Sequence, residues 1–409
     1  MPPGVASSSA PLFSVVVLTR NEARLLPRLL YDLEEFRDRD GEVLLVDTGS
    51  TDDTIAIAKR RGCRVEVVND RFDSYLDPNQ VAEIERRLAK KGEGPLVVPG
   101  QRLFHFANAR HYAGDLAASE FVLQLDAADE IRALDIDALN RWIASGTVGS
   151  FEYEQIYGDA SLRIARFYDR TRYQWEGRVH EVMTATPHAG GAPAARIRCA
   201  PSQLQVRHQK DNKTRNYLAG LALQVFESPE KPRWWHYLGR ELFYFHYYES
   251  AIATLKSHVA MEDAWLTERS QSLCFIAESL DALGRTEEAK DSFLRAFAMD
   301  STRREPLLRL AMLCSRRREF EDATKWVREA LRIPRTNAYP ELDANYTWVP
   351  HSLLYWSLFW LRRRDEARKH WETYLSLVPS ENRMKEHARM FPSGEVARPE
   401  KLTVAATAR

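Results

Sequence analysis

The sequence is poor in the features that mark several large protein classes. Its four cysteines, Cys63, Cys199, Cys274 and Cys314, are widely spaced and include no CxxC pair. That excludes a zinc ribbon and offers no disulfide framework, so buried free thiols in a reducing compartment are expected. No run approaches the ~20 apolar residues of a membrane span. Met1 to Pro11 lacks the basic and apolar regions of a signal peptide. No membrane span and a cytoplasmic location are therefore expected. Lys+Arg and Asp+Glu both total 58, for zero formal charge. This gives no bulk attraction to nucleic acid or anionic membrane and argues mildly against a nucleic-acid partner, leaving local basic patches open. No GxGxxG follows the first apolar strand and no GxxxxGK[ST] occurs, which disfavours a dinucleotide site and a P-loop.

What the chain does have is two halves with two different periods. Its 409 residues suit two domains. Phe13 to Leu18 (FSVVVL) is a short, valine-rich run suited to a strand buried on both faces. Leucines 25, 29, 30 and 33 predict a helix over Asn21 to Phe36. Val43 to Val46 reads as a second strand, Thr51 to Arg61 as a helix and Arg64 to Val68 as a third strand. Phe106 to Ala118 (helix) and Phe121 to Leu125 (strand) repeat the alternation, which implies βαβ units and a parallel sheet.

From about Trp234 the strand signal stops. Ala251, Ala289, Ala323 and Ala367 each head an Ala-x3-bulky step, to Leu255, Phe293, Val327 and Trp371. Sixteen residues before each alanine stand Trp235, Leu273, Leu307 and His351; three further on come Leu238, Ile276, Leu310 and Leu354. Gly239, Ala277, Ala311 and Tyr355 follow those, and the copies end near Pro334 and at Pro379. The alanine intervals are 38, 34 and 44 residues, so insertions separate some copies. The longest, Arg335 to Pro350, contains Tyr339, Tyr346 and Trp348. The pattern resembles the ~34-residue tetratricopeptide repeat, in which small residues let two antiparallel helices approach closely; a generic array of helical hairpins is the alternative. The expected organisation is a disordered start (1–11), an α/β domain (12–218), a connecting helix or linker (219–233), helical repeats (234–392) and a disordered tail (393–409).

In an open parallel sheet, ligands bind beyond the carboxyl ends of the strands. Those ends carry Thr19-Arg20-Asn21-Glu22, Asp47-Thr48-Gly49-Ser50-Thr51-Asp52 and Asp126-Ala127-Ala128-Asp129-Glu130. The first two segments equally suit helix capping, Thr19 with Glu22 as a capping box and Ser50 or Thr51 as an N-cap. The third is less easily structural. Three carboxylates within five residues repel one another unless solvated or neutralised by a hard divalent cation such as Mg²⁺ or Mn²⁺.

In this order, SVVVLTRNE, LLVDTGSTDDT and FANARHYAGDLAASEFVLQLDAADE resemble the family-two inverting nucleotide-sugar transferases of the GT-A fold. GRVHE (Gly177 to Glu181), the histidine closing LQVRH (His208) and KTRNYL (Lys213 to Leu218) resemble later motifs of a bacterial subgroup. That subgroup often carries tetratricopeptide repeats, as in transferases that glycosylate peptides on cysteine. The resemblance implies an α/β GT-A domain followed by an all-α repeat solenoid, and a metal-dependent transfer from a nucleotide-sugar of UDP type to a hydroxyl or thiol. Asp47 would accept the N3–H of a pyrimidine base, with Thr19, Asn21 and Glu22 lining the nucleoside. Arg110 would sit near the base or phosphates, and Asp126 would approach the ribose. Asp126, Asp129 and His208 would hold Mn²⁺ or Mg²⁺, neutralising charge on the departing diphosphate. Arg163, Arg166 and Arg170 recur in LRIARFYDR; one or more would assist at the diphosphate, or would form a solvated strand face. Glu181, ahead of His180, would be the base that inversion requires.

Three departures from the family pattern stand out. The acidic motif is one residue longer than DxD, so Glu130 or Asp126 competes with Asp129 as ligand. His111 replaces the usual asparagine after Ala-Arg. Asp73 to Arg102 is an extra segment placed to act as a lid or acceptor guide. The acceptor is left open between a peptide or protein held by the repeats, a glycolipid or polysaccharide precursor, and modified DNA. Self-association through the repeats, and a scaffold whose α/β domain has lost catalysis, are the remaining readings.

Overall fold

The computed structural model describes residues 10–158, 160–186, 194–209, 216–336 and 341–378. The chain divides into two compact units, Met1–Tyr237 and Leu238–Arg409. Of the stretches expected to be disordered, residues 1–9 and all of 393–409 lie outside the described residues, as do Lys213 to Arg215, Tyr339 and Pro379.

The first unit opens with β1 (Phe13–Thr19), α1 (Leu26–Asp32), α2 (Glu34–Asp38), β2 (Val43–Asp47), α3 (Thr54–Arg60) and β3 (Arg64–Val67). The continuous apolar run of β1 is buried on both faces for a simple reason. Phe13, Val15 and Val17 pack with Leu29, Leu30 and Leu33 of the first helical segment, whereas Val16 packs with Leu44, Val46, Ala113 and Val122 on the opposite face. The helix expected over 21–36 starts later and breaks at Leu33. Pro27 occupies its first turn, where a missing N–H costs nothing. Upstream, Glu22 N–H donates to Thr54 Oγ1 (2.8 Å) and Ala23 N–H to Asp52 Oδ2 (3.1 Å), so the backbone is committed to a loop. Neither Thr19 nor Glu22 therefore caps this helix, and the capping-box alternative is excluded. For α3, too, the N-cap is Asp53, not Ser50 or Thr51.

The extra segment contains β4 (Asp73–Tyr75), α4 (Pro78–Leu88) and β5 (Arg102–Phe104). Antiparallel pairing of β4 with β5 pinches it at its base. Asp77 caps α4 through a complete capping box with Gln80. There follow α5 (Phe106–Asp115), β6 (Phe121–Asp126), β7 (Asp129–Leu134), α6 (Ile136–Ala144), β8 (Val148–Tyr157), β9 (Ala160–Asp169), β10 (Tyr173–Glu176), β11 (Val182–Ala185), β12 (Ala195–Arg198), β13 (Leu204–His208) and α7 (Leu218–Glu227).

The main sheet runs β3-β2-β1-β6-β9-β8-β13-β7, with β12 also beside β8. The expected parallel order holds for β3, β2, β1 and β6. Beyond β6, among strands for which no pairing was expected, the sheet is mixed. The turn between Tyr157 and Ala160 is too short for a crossover, so β8 and β9 must pair antiparallel.

Helices α8 (Pro232–Tyr244), α9 (Tyr248–Ala260), α10 (Leu266–Ala282), α11 (Thr286–Met299), α12 (Glu305–Arg316), α13 (Phe320–Leu331), α14 (Asp343–Tyr346), α15 (Trp348–Trp360) and α16 (Arg364–Leu377) are the remaining elements among the described residues. The second unit is a series of helical hairpins, as the repeat pattern implies. Ala251, Ala289, Ala323 and Ala367 are all fully buried. A Cβ on Gly239 would lie 2.4 Å from Leu255, which shows why this interface takes the smallest residue. Each intra-hairpin turn contains one left-handed residue: His246, Gly284, Arg318 and Arg362, with φ between 62° and 78°. The next residue's N–H returns to the carbonyl five positions back: Tyr247 to Leu242, Arg285 to Leu280, Glu319 to Cys314 and Arg363 to Leu358. This is a Schellman closure repeated four times. All four cysteines are buried and free. Among the described residues no helix is long and apolar enough to cross a membrane.

Candidate functional site

Three neighbouring strand ends place polar groups on one edge of the first unit's sheet. At the first two, β1 and β2, the loops bind each other. The buried Asp47 carboxylate accepts the N–H of Gly49 (3.0 Å) and Ser50 (2.8 Å) on Oδ1. Its Oδ2 accepts the Ser50 hydroxyl and, at 3.4 Å, that of Thr19. Asn21, at φ 54°, donates its N–H to Ser50 Oγ (2.8 Å) and accepts Thr51 N–H (2.8 Å). Thr19, Asn21, Glu22 and Asp47 thus form one loop pair. Asp47, expected to receive a base, is already supplied with four donors by its own surroundings.

At the end of β6 the charges concentrate. Asp126 Oδ1 accepts from Arg110 Nη2 at 2.9 Å, and its Oδ2 from Arg166 Nη1 at 2.7 Å. Arg110, only 5% exposed, also donates Nε to Glu181 Oε1 at 2.6 Å. One guanidinium from α5 therefore joins the acidic turn to the GRVHE segment, 71 residues away. Burial would raise the Asp126 carboxyl, but the Arg166 and Arg110 charges outweigh it and hold it well below the usual carboxylate range. Burial also opposes ionisation of Glu181, and again Arg110 and Arg166 outweigh it, so its carboxyl is lowered.

Ala127 and Ala128 form the turn between β6 and β7, and Asp129 begins the returning strand with 1% side-chain exposure. Its Oδ2 accepts the Asp126 N–H (2.8 Å), while Oδ1 faces His208 Nδ1 (2.8 Å) and Gln155 Nε2 (3.1 Å). Burial, together with the Asp126 charge, raises the Asp129 carboxyl against the lowering hydrogen bond from His208. Burial would lower the His208 imidazole, but its bond to Asp129 raises it. The turn is thus not an open, solvated acidic loop. Glu130 points elsewhere, pairing with Arg132 at 2.6 Å and with Gln209.

Asp126, Asp129 and His208 each offer one ligand atom, all within 4.8 Å of one another. Two carboxylate oxygens and an imidazole nitrogen fit a divalent cation, and the imidazole suits Mn²⁺ better than Mg²⁺. The buried Gln155 and the Tyr157 hydroxyl (2.6 Å from Gln155 Oε1) back this cluster from one face of β8. The sequence reading missed both. Their only signal is the odd-numbered spacing Tyr153, Gln155, Tyr157 on a strand that alternates sides.

Not every expected residue joins. Arg163 is an odd number of positions from Arg166 on β9, so it faces away and donates to the Cys199 carbonyl at 3.5 Å. Arg170 donates to the Ser119 carbonyl at 3.0 Å. His111 is exposed, with Nε2 3.6 Å from Asp115. His180 adopts φ 52° and stacks on Tyr237 (centroids 4.4 Å apart) with Tyr217 edge-on at 5.2 Å. Its ring is thereby held in an aromatic group while Glu181 turns to Arg110. Gly177 heads this segment at φ 100°, where a Cβ would lie 2.5 Å from Trp234. Only glycine satisfies both conditions.

Residues 14–75 match the family model described as Glycosyl transferase family 2. That span includes the Thr19 and Asp47 loops and stops short of Asp126, Asp129 and His208. No curated protein matches the chain. Similar solved structures include MamA, 14% identical, with 42% of this chain and 89% of MamA covered at a TM-score of 0.32. PilF of Pseudomonas aeruginosa is 16% identical, with 42% of this chain and 71% of PilF covered at 0.33. A thermophilic TPR protein of Thermus thermophilus is 17% identical, with 43% and 89% covered at 0.31.

Proposed function

We propose that this chain, with its family-two glycosyltransferase segment at residues 14–75, is a metal-dependent inverting transferase. It moves a sugar from a UDP-type nucleotide-sugar to a hydroxyl or thiol, with a peptide or protein acceptor preferred. The observation that carries the metal dependence is the convergence of Asp126, Asp129 and His208 beside two buried arginines. A divalent ion held there would act as a Lewis acid toward the leaving diphosphate, a contribution of several kcal/mol. Arg110 and Arg166 supply guanidinium groups beside it, suited to phosphate oxygens. Glu181 is the preferred base. Its lowered carboxyl is ionised near neutral pH, so it can take the acceptor's proton once Arg110 turns to the phosphates. His180 is the second candidate for that role. The helical hairpins suit peptide binding or self-association.

A second reading rests on a specific observation. Asp47 and Asp126 are both already satisfied by protein donors. This favours a scaffold whose α/β unit no longer turns over a donor. One experiment separates the two: hydrolysis of a panel of UDP-, GDP- and dTDP-sugars with Mn²⁺, alongside thermal shift by UDP with Mn²⁺ or EDTA. The transferase reading expects turnover and a UDP shift that EDTA abolishes. It also expects Asp129→Asn to remove both. Absence of turnover across the panel together with a metal-independent midpoint supports the scaffold instead.

A further inference from the structure

In the last hairpin, His351 on α15 and His370 on α16 bring their Nδ1 atoms to 3.0 Å, with ring centroids 5.2 Å apart. The repeat pattern makes this pairing notable. His351 stands sixteen residues before Ala367 and His370 three after it. The equivalent positions are Leu273 and Ser292 in the second copy, and Leu307 and Trp326 in the third. In the second copy the two positions already face each other, since Ser292 Oγ donates to the Leu273 carbonyl at 2.9 Å. The fold therefore provides a cross-helix contact, and only the fourth copy places a nitrogen ligand on both sides of it.

We infer that His351 and His370 form a bidentate site for a divalent transition-metal ion, distinct from the acidic centre of the first unit. Metal–imidazole bonds of about 2.0–2.1 Å place two nitrogens ~2.9 Å apart at a right angle and ~3.3 Å apart in a tetrahedron. The observed 3.0 Å lies within that interval. An all-imidazole pair selects Zn²⁺, Ni²⁺ or Cu²⁺ and rejects Mg²⁺, which demands oxygen. Both residues are half-buried. Glu366, one turn before His370 on α16, is held instead by Arg363 and Arg328, so the site rests on the two imidazoles alone.

The test uses the full chain carrying Asp129→Asn, which disables the acidic centre. Calorimetric titration is expected to show one equivalent of Ni²⁺ and of Zn²⁺, and no heat with Mg²⁺. Adding His370→Gln or His351→Gln abolishes that equivalent, with circular dichroism reporting the fold. In the unsubstituted chain, Ni²⁺ should protect His351 and His370 from diethyl pyrocarbonate. Unchanged stoichiometry in both histidine variants, or equal modification with and without the ion, overturns the site and leaves an imidazole hydrogen bond.

Discussion

His208 and Asp129 stand opposite each other across the antiparallel pair of β13 and β7, with Nδ1 2.8 Å from Oδ1. The strand register, not a local motif, holds them together across 79 residues of sequence. Gln155 then fixes Asp129 from the third side, and Tyr157 fixes Gln155. Groups that orient ligands in this way typically carry 10–100-fold of metal affinity. Gln155→Leu should therefore raise the Mn²⁺ concentration needed for the UDP thermal shift by that order, with little change in the metal-free midpoint. An unaltered Mn²⁺ requirement would falsify the orienting role.

Arg110 is the tie between Asp126 and Glu181, and it is nearly inaccessible. Removing one partner of a buried ionic group leaves an uncompensated charge, at a cost of about 3–5 kcal/mol. Arg110→Met is expected to destabilise the first unit by that amount in urea. Adding Glu181→Gln should recover a large share, because the stranded charge is gone. Strictly additive losses in the double variant would show that the two residues are not coupled.

The helical turns offer a gain. Arg318 and Arg362 are exposed residues in the left-handed region, which costs a non-glycine residue about 1–2 kcal/mol. Glycine removes that strain at some entropic cost. Arg318→Gly and Arg362→Gly should each stabilise the helical unit by about 0.5–1 kcal/mol and so raise its unfolding midpoint. Gly284→Ala, at φ 78°, should lower it. Melting curves of the three variants decide the matter, and a loss on either arginine replacement counts against the strain.

His258 gives a pH dependence. It is buried, with Nδ1 2.9 Å from Ser272 Oγ. Burial, with the Arg269 charge adding, pushes its imidazole down to about 4. In the unfolded chain it titrates near ~6.5. Between these values the unfolded chain holds the extra proton. This histidine's contribution is therefore intact above about pH 6.5 and lost as pH falls toward 4, by about 3 kcal/mol at most. His258→Gln should flatten the stability curve over that interval. An equal acid slope in the variant removes the explanation.

Much of the architecture was legible because local periodicity carries it. The FSVVVL and VLLV runs fix β1 and β2 since a strand covered on both faces needs no alternation. The four alanines mark the hairpins because close helix packing excludes larger side chains. The break at Leu33 and the late start of α1 were hidden, since Glu22 and Ala23 are captured by residues about thirty positions away. The repeated left-handed turn was hidden as well: three of its four residues are His or Arg, and only Gly284 advertises the conformation.

By itself the sequence determined the residue chemistry: an acidic turn after a buried strand, arginines and a histidine downstream, and small residues at hairpin spacing. Tertiary structure decided which of these meet. Arg166 reaches Asp126 while Arg163 faces away, because a pleated strand alternates sides. Asp129 meets His208 and Glu130 does not, because the β13–β7 register aligns the first pair and turns the neighbouring side chain to the other face. Long-range register is set by the packing of the whole sheet, and no short window of sequence contains it.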